Sequence, residues 1–157
     1  MVEKLKMIWQ DAKQLKDERG LTLVELLVVV VILGIIAAIA VVAIGGIIEN
    51  SKKDAMVADA KQMVNAAKLY VASNEVADGE VIRFVGNVNK TNNERDAKNM
   101  IDTMKDPFGK DYTNGVVKVT KSSDNKYTYN VWLAGTKRIG TLANPVASSD
   151  LNKDVIK

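Results

Sequence analysis

Hydrophobic and polar positions are spread very unevenly along this chain. Residues 26–48 read LLVVVVILGIIAAIAVVAIGGII, 23 consecutive positions without a charge or a polar side chain. The hydrocarbon core of a bilayer needs roughly 20 such residues as helix. A helix apolar on every side is not the kind that packs one face on a small soluble domain, so the run predicts a membrane span. Gly34, Gly45 and Gly46 lower helix propensity in water but are tolerated in lipid, where they let helices approach closely. The pattern then changes. Met56, Val57, Ala60, Met63, Val64, Ala67, Tyr70 and Val71 recur at spacings of three and four, while Lys52, Lys53, Asp54, Asp59, Lys61 and Lys68 fall elsewhere on the wheel. Such a stripe predicts an amphipathic helix with a sheet over its apolar face. Roughly two and a half heptads are too few for a coiled-coil seam. Residues 21–74 therefore read as one helix with two different surfaces.

The remainder is strand-rich. Residues 74–93 form a connection with a turn at Asp78-Gly79, a strand over 81–88 and an Asn-rich loop over 87–93. Ala97, Met100, Ile101 and Met104 have helical spacing and predict a short helix over 94–104, ending at Asp106-Pro107. Asp106-Pro107-Phe108-Gly109 carries Asp, Pro and Gly at the first, second and fourth positions of a type I turn. Val117 and Val119 alternate with Lys118 and Thr120, and Tyr127, Tyr129, Val131 and Leu133 alternate with Thr128, Asn130 and Trp132. Two strands joined by a hairpin over 122–125 follow from that alternation, and a third is expected over 138–142. The tail beyond Pro145 reads as a loop laid on the head or as disorder. The fold class is α+β: a long N-terminal α-helix, membrane-embedded in its first half, packed on a small antiparallel β-sheet head.

Composition narrows the function classes. The chain has 157 residues, 47% hydrophobic and 26% charged, with a formal charge of +3 and neither Cys nor His. Disulfides, Cys or His zinc sites, thiol nucleophiles and Ser-His-Asp triads are thereby excluded, so an enzyme is not expected. Asp150 and Asp154 are isolated carboxylates without the spacing of a calcium loop; neither metal nor cofactor is predicted. Asn89-Lys90-Thr91 fits the glycosylation acceptor pattern, a short motif frequent by chance. Lys118, Lys121, Lys126, Lys137 and Arg138 with Tyr127 and Trp132 compose a basic aromatic set. With so modest a net charge and carboxylates mixed in, it reads as a solvated sheet edge, and direct nucleic-acid binding is not expected.

A cleavable secretory signal is the obvious rival to a membrane span, and Ala38-Ile39-Ala40 offers a small-x-small triplet. However, the apolar run begins after 25 residues and continues past the supposed cut. Positive charges do not orient the span: Lys6, Lys13, Lys16 and Arg19 precede it, and Lys52, Lys53, Lys61 and Lys68 follow it. Glu25 stands at the very start of the run. A carboxylate at the centre of a membrane helix costs roughly 2.5 to 3.5 kcal/mol, and less near an end. No Lys or Arg lies on an adjacent turn. Physics alone leaves two readings open, a glutamate snorkelling to the interface at a helix N-terminus and a functional acid that awaits a cation.

Arg19-Gly20-Leu21-Thr22-Leu23-Val24-Glu25-Leu26-Leu27, continuing through Gly34, Ile35, Ile36, Ala37, Ala38, Ile39 and Ala40, resembles the processing and helix signature of the type IV pilin superfamily. In that family a basic leader ends in Gly, a membrane prepilin peptidase cuts after it, and the new N-terminal residue is methylated. The resemblance implies cleavage between Gly20 and Leu21, N-methylation of Leu21, and assembly roles for Glu25, the fifth residue after the cut, and for Thr22. Leu21 stands where Phe or Met is commoner, and Val42 where many members carry a helix-kinking Pro. The segment from Lys105 to Tyr112 is similar to one in secretion pseudopilins and some Gram-positive pilins.

On this resemblance residues 1–20 are a prepilin leader, 21–53 the transmembrane and filament-core half of the long helix, and 54–157 a globular head. The implied partners are further pilin subunits in a homopolymer, a prepilin peptidase, an inner-membrane assembly platform with its ATPase, and membrane lipid before assembly. The implied location is the cell membrane as precursor and then an extracellular pilus. Absence of Cys, and so of the C-terminal disulfide common in Gram-negative members, favours a Gram-positive origin. Secretion pseudopilins and competence pilins share the same helix, and a single-pass membrane protein with an extracellular binding domain is the alternative outside the family.

Overall fold

A computed structural model describes residues 1–88 and 93–157, the side chains of 14–21 excepted. Two compact units result, Met1–Ile47 and Ile48–Lys157. Helix α1, Val2–Ser73, contributes to both. Its helical pattern runs through Val42 and Gly45-Gly46 without a break, as expected for a segment with no Pro to remove a backbone donor. At the other end the side chains of Ser73 and Asn74 donate to the carbonyls of Leu69 and Tyr70, 3.0 Å each.

The second unit is the part of α1 from residue 48 onward, packed on a six-stranded sheet. The strands are β1 (Val81–Val85), β2 (Glu94–Asp96), β3 (Asn114–Lys121), β4 (Tyr127–Ala134), β5 (Arg138–Ile139) and β6 (Val146–Ala147). Their order is β2-β1-β3-β4-β5, with β6 also on β4. Met56, Ala60, Met63 and Ala67 are fully buried, as are Ile82, Val117, Val119, Val131, Leu133 and Ile139. Helical spacing on one side and period-two spacing on the other thus bring two apolar faces together.

Three details differ from the sequence pattern. Residues 94–104 are not a helix: they form β2 and one 3-10 turn, Lys98–Met100. Glu94 and Arg95 are held by ion pairs to β1 and to the loop before it, and the Ala97 amide donates to the Arg83 carbonyl at 2.9 Å, so tertiary contacts override a weak helical period. Because β2 runs parallel to β1 while every other strand pairing is antiparallel, the sheet is mixed. Strands β1 and β5 stop short of the expected 88 and 142, at Gly86 and Gly140, whose φ values of 87° and 65° leave the extended region. The tail is ordered against the head: β6 pairs with β4, and Ile156 bridges Ile139.

Candidate functional site

In the first unit, Gly20, Leu21 and Thr22 fall within one turn of α1 and Glu25 on the next. The Gly20–Leu21 peptide has helical backbone, and Thr22 and Glu25, three residues apart and both exposed, share a helix face. Lys and Arg are absent from residues 20–51. Beyond Glu25 the large apolar side chains stand open on all sides, from 47% exposed at Val28 to 80% at Val42. Apart from the adjoining helix backbone and chain neighbours, nothing among the described residues lies within 4 Å of a Cβ placed on Gly34, Gly45 or Gly46, so these glycines are dents in an open surface. The helix from Thr22 is long and apolar enough to cross a membrane. At roughly 25 cal/mol per Å² so much bare apolar surface is unstable in water; lipid or neighbouring helices satisfy it.

In the second unit the first turns of the helix are tied to the head by charge. Glu49 accepts from Lys137 at 2.8 Å and lies 3.4 Å from Lys53. The two lysines, Lys137 foremost, hold its carboxyl below the usual glutamate value. Lys137 and Lys52 also approach the Phe108 ring, at 4.9 and 5.8 Å from its centroid. Phe108 belongs to the turn that the sequence marks, closed by Gly109 N–H donating to the Asp106 carbonyl at 3.0 Å. The Asp106 side chain is buried and accepts from the amides of Phe108 and Thr136, at 2.9 and 2.6 Å. Next to it the Tyr112 hydroxyl donates to Asp59 Oδ2 at 2.8 Å. Burial raises the Asp59 carboxyl, partly offset by this bond and reinforced by Asp106; burial and the Asp59 bond drive the Tyr112 hydroxyl far above its ordinary value.

At the opposite edge two crossed ion pairs fasten β2. Arg83 makes a bidentate pair with Glu94, Nε to Oε2 at 2.7 Å and Nη2 to Oε1 at 2.6 Å, and also reaches Asn114 at 2.9 Å. Glu80, 1% exposed, pairs with Arg95 and accepts from the Ala77 amide at 2.8 Å. Sequence reasoning passed over Asp59, Glu80, Arg83 and Glu94. Glu80 and Arg83 are carboxylate and cation inside an otherwise apolar strand neighbourhood, a legible signal that each needs a partner. The basic aromatic set does not form one free surface: Lys137 is bound as described, and Lys121 lies over Tyr127 at 5.7 Å. Asn89-Lys90-Thr91 falls outside the described residues.

Comparison with known protein families finds one match: residues 15–41 fit the prokaryotic N-terminal methylation motif, the signal of type IV pilin-like prepilins. The stretch includes Gly20, Leu21, Thr22, Glu25 and the apolar run as far as Val41. Comparison with curated proteins and with solved structures gave no match.

Proposed function

We propose that the chain is a structural subunit of a type IV pilus filament, made as a precursor, cut between Gly20 and Leu21, N-methylated at Leu21 and assembled through its apolar helix. The observation that carries this reading is the methylation motif at 15–41, which runs into a stretch of helix whose apolar surface is exposed on every side. In this reading residues 1–20 are the leader, 21–53 the membrane and filament-core segment, and 54–157 the head. The subunit does no chemistry of its own. A prepilin peptidase processes it, an assembly platform with its ATPase extracts it, and it ends as a homopolymer on the cell surface.

Cleavage changes the electrostatics at one point. Before it, the nitrogen of Leu21 is a neutral amide and Glu25 is an acid in mid-helix. After it, the nitrogen is a cation that methylation preserves, and Glu25 becomes a first-turn acid, where the helix dipole favours a negative charge. Among packed apolar helices, the carboxylate of one subunit and the ammonium of a neighbour neutralise each other; removing one partner of a fully buried pair costs about 3 to 5 kcal/mol. The pairing sets register and makes processing the assembly switch. Thr22, on the Glu25 face, supplies a hydroxyl beside it.

Mass measurement of the N-terminus of cell-derived protein is the first test. A methylated chain starting at Leu21 is expected; assembled protein that retains residues 1–20 overturns the reading. Glu25→Ala tests the pairing, which fails if correctly cleaved mutant gives a normal filament yield. A secretion pseudopilin or competence pilin is the second reading, since the N-terminal motif is common to all of them. Abundant filaments sheared from cells distinguish the first reading from it.

A further inference from the structure

The first turns of α1 carry an apolar stripe that nothing in the described protein covers. Val2, Leu5, Ile8 and Trp9 are between 65% and 71% exposed. At 3.6 residues per turn they and Ala12 fall within an arc of roughly 120°. Cations edge the arc on both sides: Lys4 next to Ile8, and Lys6 and Lys13 next to Val2, with the Lys13 ammonium 5.8 Å from the Trp9 ring centroid. Glu3, Gln10 and Asp11 lie farther round, and Met7 is the one large apolar side chain outside the stripe.

We propose that residues 2–12 dock in the headgroup region of an anionic lipid surface, with the stripe facing the acyl chains. Lysines at the margins of an apolar face are the arrangement that lets ammonium groups reach phosphates while their stems lie on hydrocarbon. Trp at such a margin is the residue type found at membrane interfaces. A second copy fits worse, because stripe-to-stripe packing brings Lys4, Lys6 and Lys13 of both copies together, with Asp11, just beyond Lys4 on the wheel, the one acid near the margin to offset them. The lipid is also close by, since the same helix becomes the membrane span from residue 22. By spacing, Lys16 falls on the stripe one turn after Ala12, so the lipid-facing stretch ends there. Lying in the surface while 26–48 cross it requires the chain to change direction between the two stretches on docking. Docking does not depend on the proposed processing; its consequence does, namely that the Gly20–Leu21 bond is presented to the peptidase at a fixed depth.

The test uses the full chain with Trp132→Phe, leaving Trp9 as the sole tryptophan, reconstituted into vesicles of equal parts phosphatidylcholine and phosphatidylglycerol. Trp9 emission is expected to be quenched by lipids brominated near the headgroup and shielded several-fold from aqueous acrylamide. Adding Leu5→Glu and Ile8→Glu should reverse both. The proposal is overturned if acrylamide reaches Trp9 equally with and without the two glutamates. It is equally overturned if Trp9 is shielded but indifferent to brominated lipid, which would place it against protein. Because no cleavage is read out, this result stands apart from the fate of the Gly20–Leu21 bond.

Discussion

The Tyr112 hydroxyl donates to Asp59 Oδ2 over 2.8 Å, joining the polar flank of the helix stripe to the segment that follows the 106–109 turn, 53 residues later. Tyr112 is buried and Asp59 half-buried, so the bond is partly sheltered from water. Tyr112→Phe keeps the ring and removes only the hydroxyl, and it should cost about 1.5 kcal/mol, the low end for a bond to a charged group. Thermal unfolding of wild type and variant in the same detergent measures it.

The same acid gives a pH dependence. Burial sets the Asp59 carboxyl above its ordinary value of 3.8. Between that value and the raised one the folded state holds a proton that the unfolded state has lost, so this group makes stability fall as pH rises through the window. Asp59→Asn cannot ionise. Its stability relative to wild type should therefore improve with rising pH across the window and level off above it. Denaturant midpoints measured against pH read the difference.

Glu49 behaves in the opposite sense. Its folded carboxyl is lowered from 4.5, first by the Lys137 hydrogen bond and then by Lys53, so any stability it adds is present above that value and fades as pH falls through the folded one. The group is open to solvent, and salt will weaken the effect. Carboxyl-resolved NMR titration should find Glu49 below the ordinary range, and Lys137→Ala should move it back up.

What could be read in the sequence follows from how far each signal travels along the chain. The helix stripe from Met56 to Val71 and the alternation in β3 and β4 are short-range patterns fixed by one period each; the structure buries most of the residues they name and half-buries Tyr70, Val71, Tyr127 and Tyr129 at their margins. The motif around Gly20, Leu21, Thr22 and Glu25 is legible for the same reason, being linear within one helix. Residues 94–104 misled because Ala97, Met100, Ile101 and Met104 have helical spacing by themselves, whereas their conformation is decided by Arg83 and Glu80, 11 and 15 residues from their partners. The Asp59–Tyr112 bond spans still more chain, and no local pattern announces it.

Gly135 is a steric requirement. A Cβ there would lie 2.5 Å from Asp106 Oδ2 and 3.0 Å from Tyr112 Cδ1. The Asp106 carboxylate has little freedom to retreat, since it accepts from the amides of Phe108 and Thr136. Gly135→Ala should therefore destabilise the head by about 1 to 3 kcal/mol through overpacking. Gly79→Ala, where nothing lies within 4 Å but φ is +77°, is the control for backbone strain alone. A fall in unfolding temperature for Gly135→Ala, with chemical shifts displaced at Asp106 and Tyr112, would locate the effect.

The Arg83–Glu94 pair allows the sharpest dissection, because both side chains are almost wholly buried, at 5% and 1% exposure. Removing one partner leaves a charge in an apolar surrounding. Glu94→Ala should cost about 3 to 5 kcal/mol. The loss falls on the pairing of β2 with β1, so the amides of Val81 and Ala97, which bond across that edge, should lose hydrogen-exchange protection before those of β3 and β4. Replacing both partners by apolar groups of similar length, Arg83→Met with Glu94→Leu, removes the desolvation cost along with the attraction. Much of the stability should return. If the double variant is instead as unstable as the sum of the two singles, the pair acts through its bond to Asn114 and the turn at Gly86, where a Cβ would meet the Thr113 carbonyl at 2.7 Å. Urea unfolding of the two singles and the double, taken as a cycle, decides between these two outcomes.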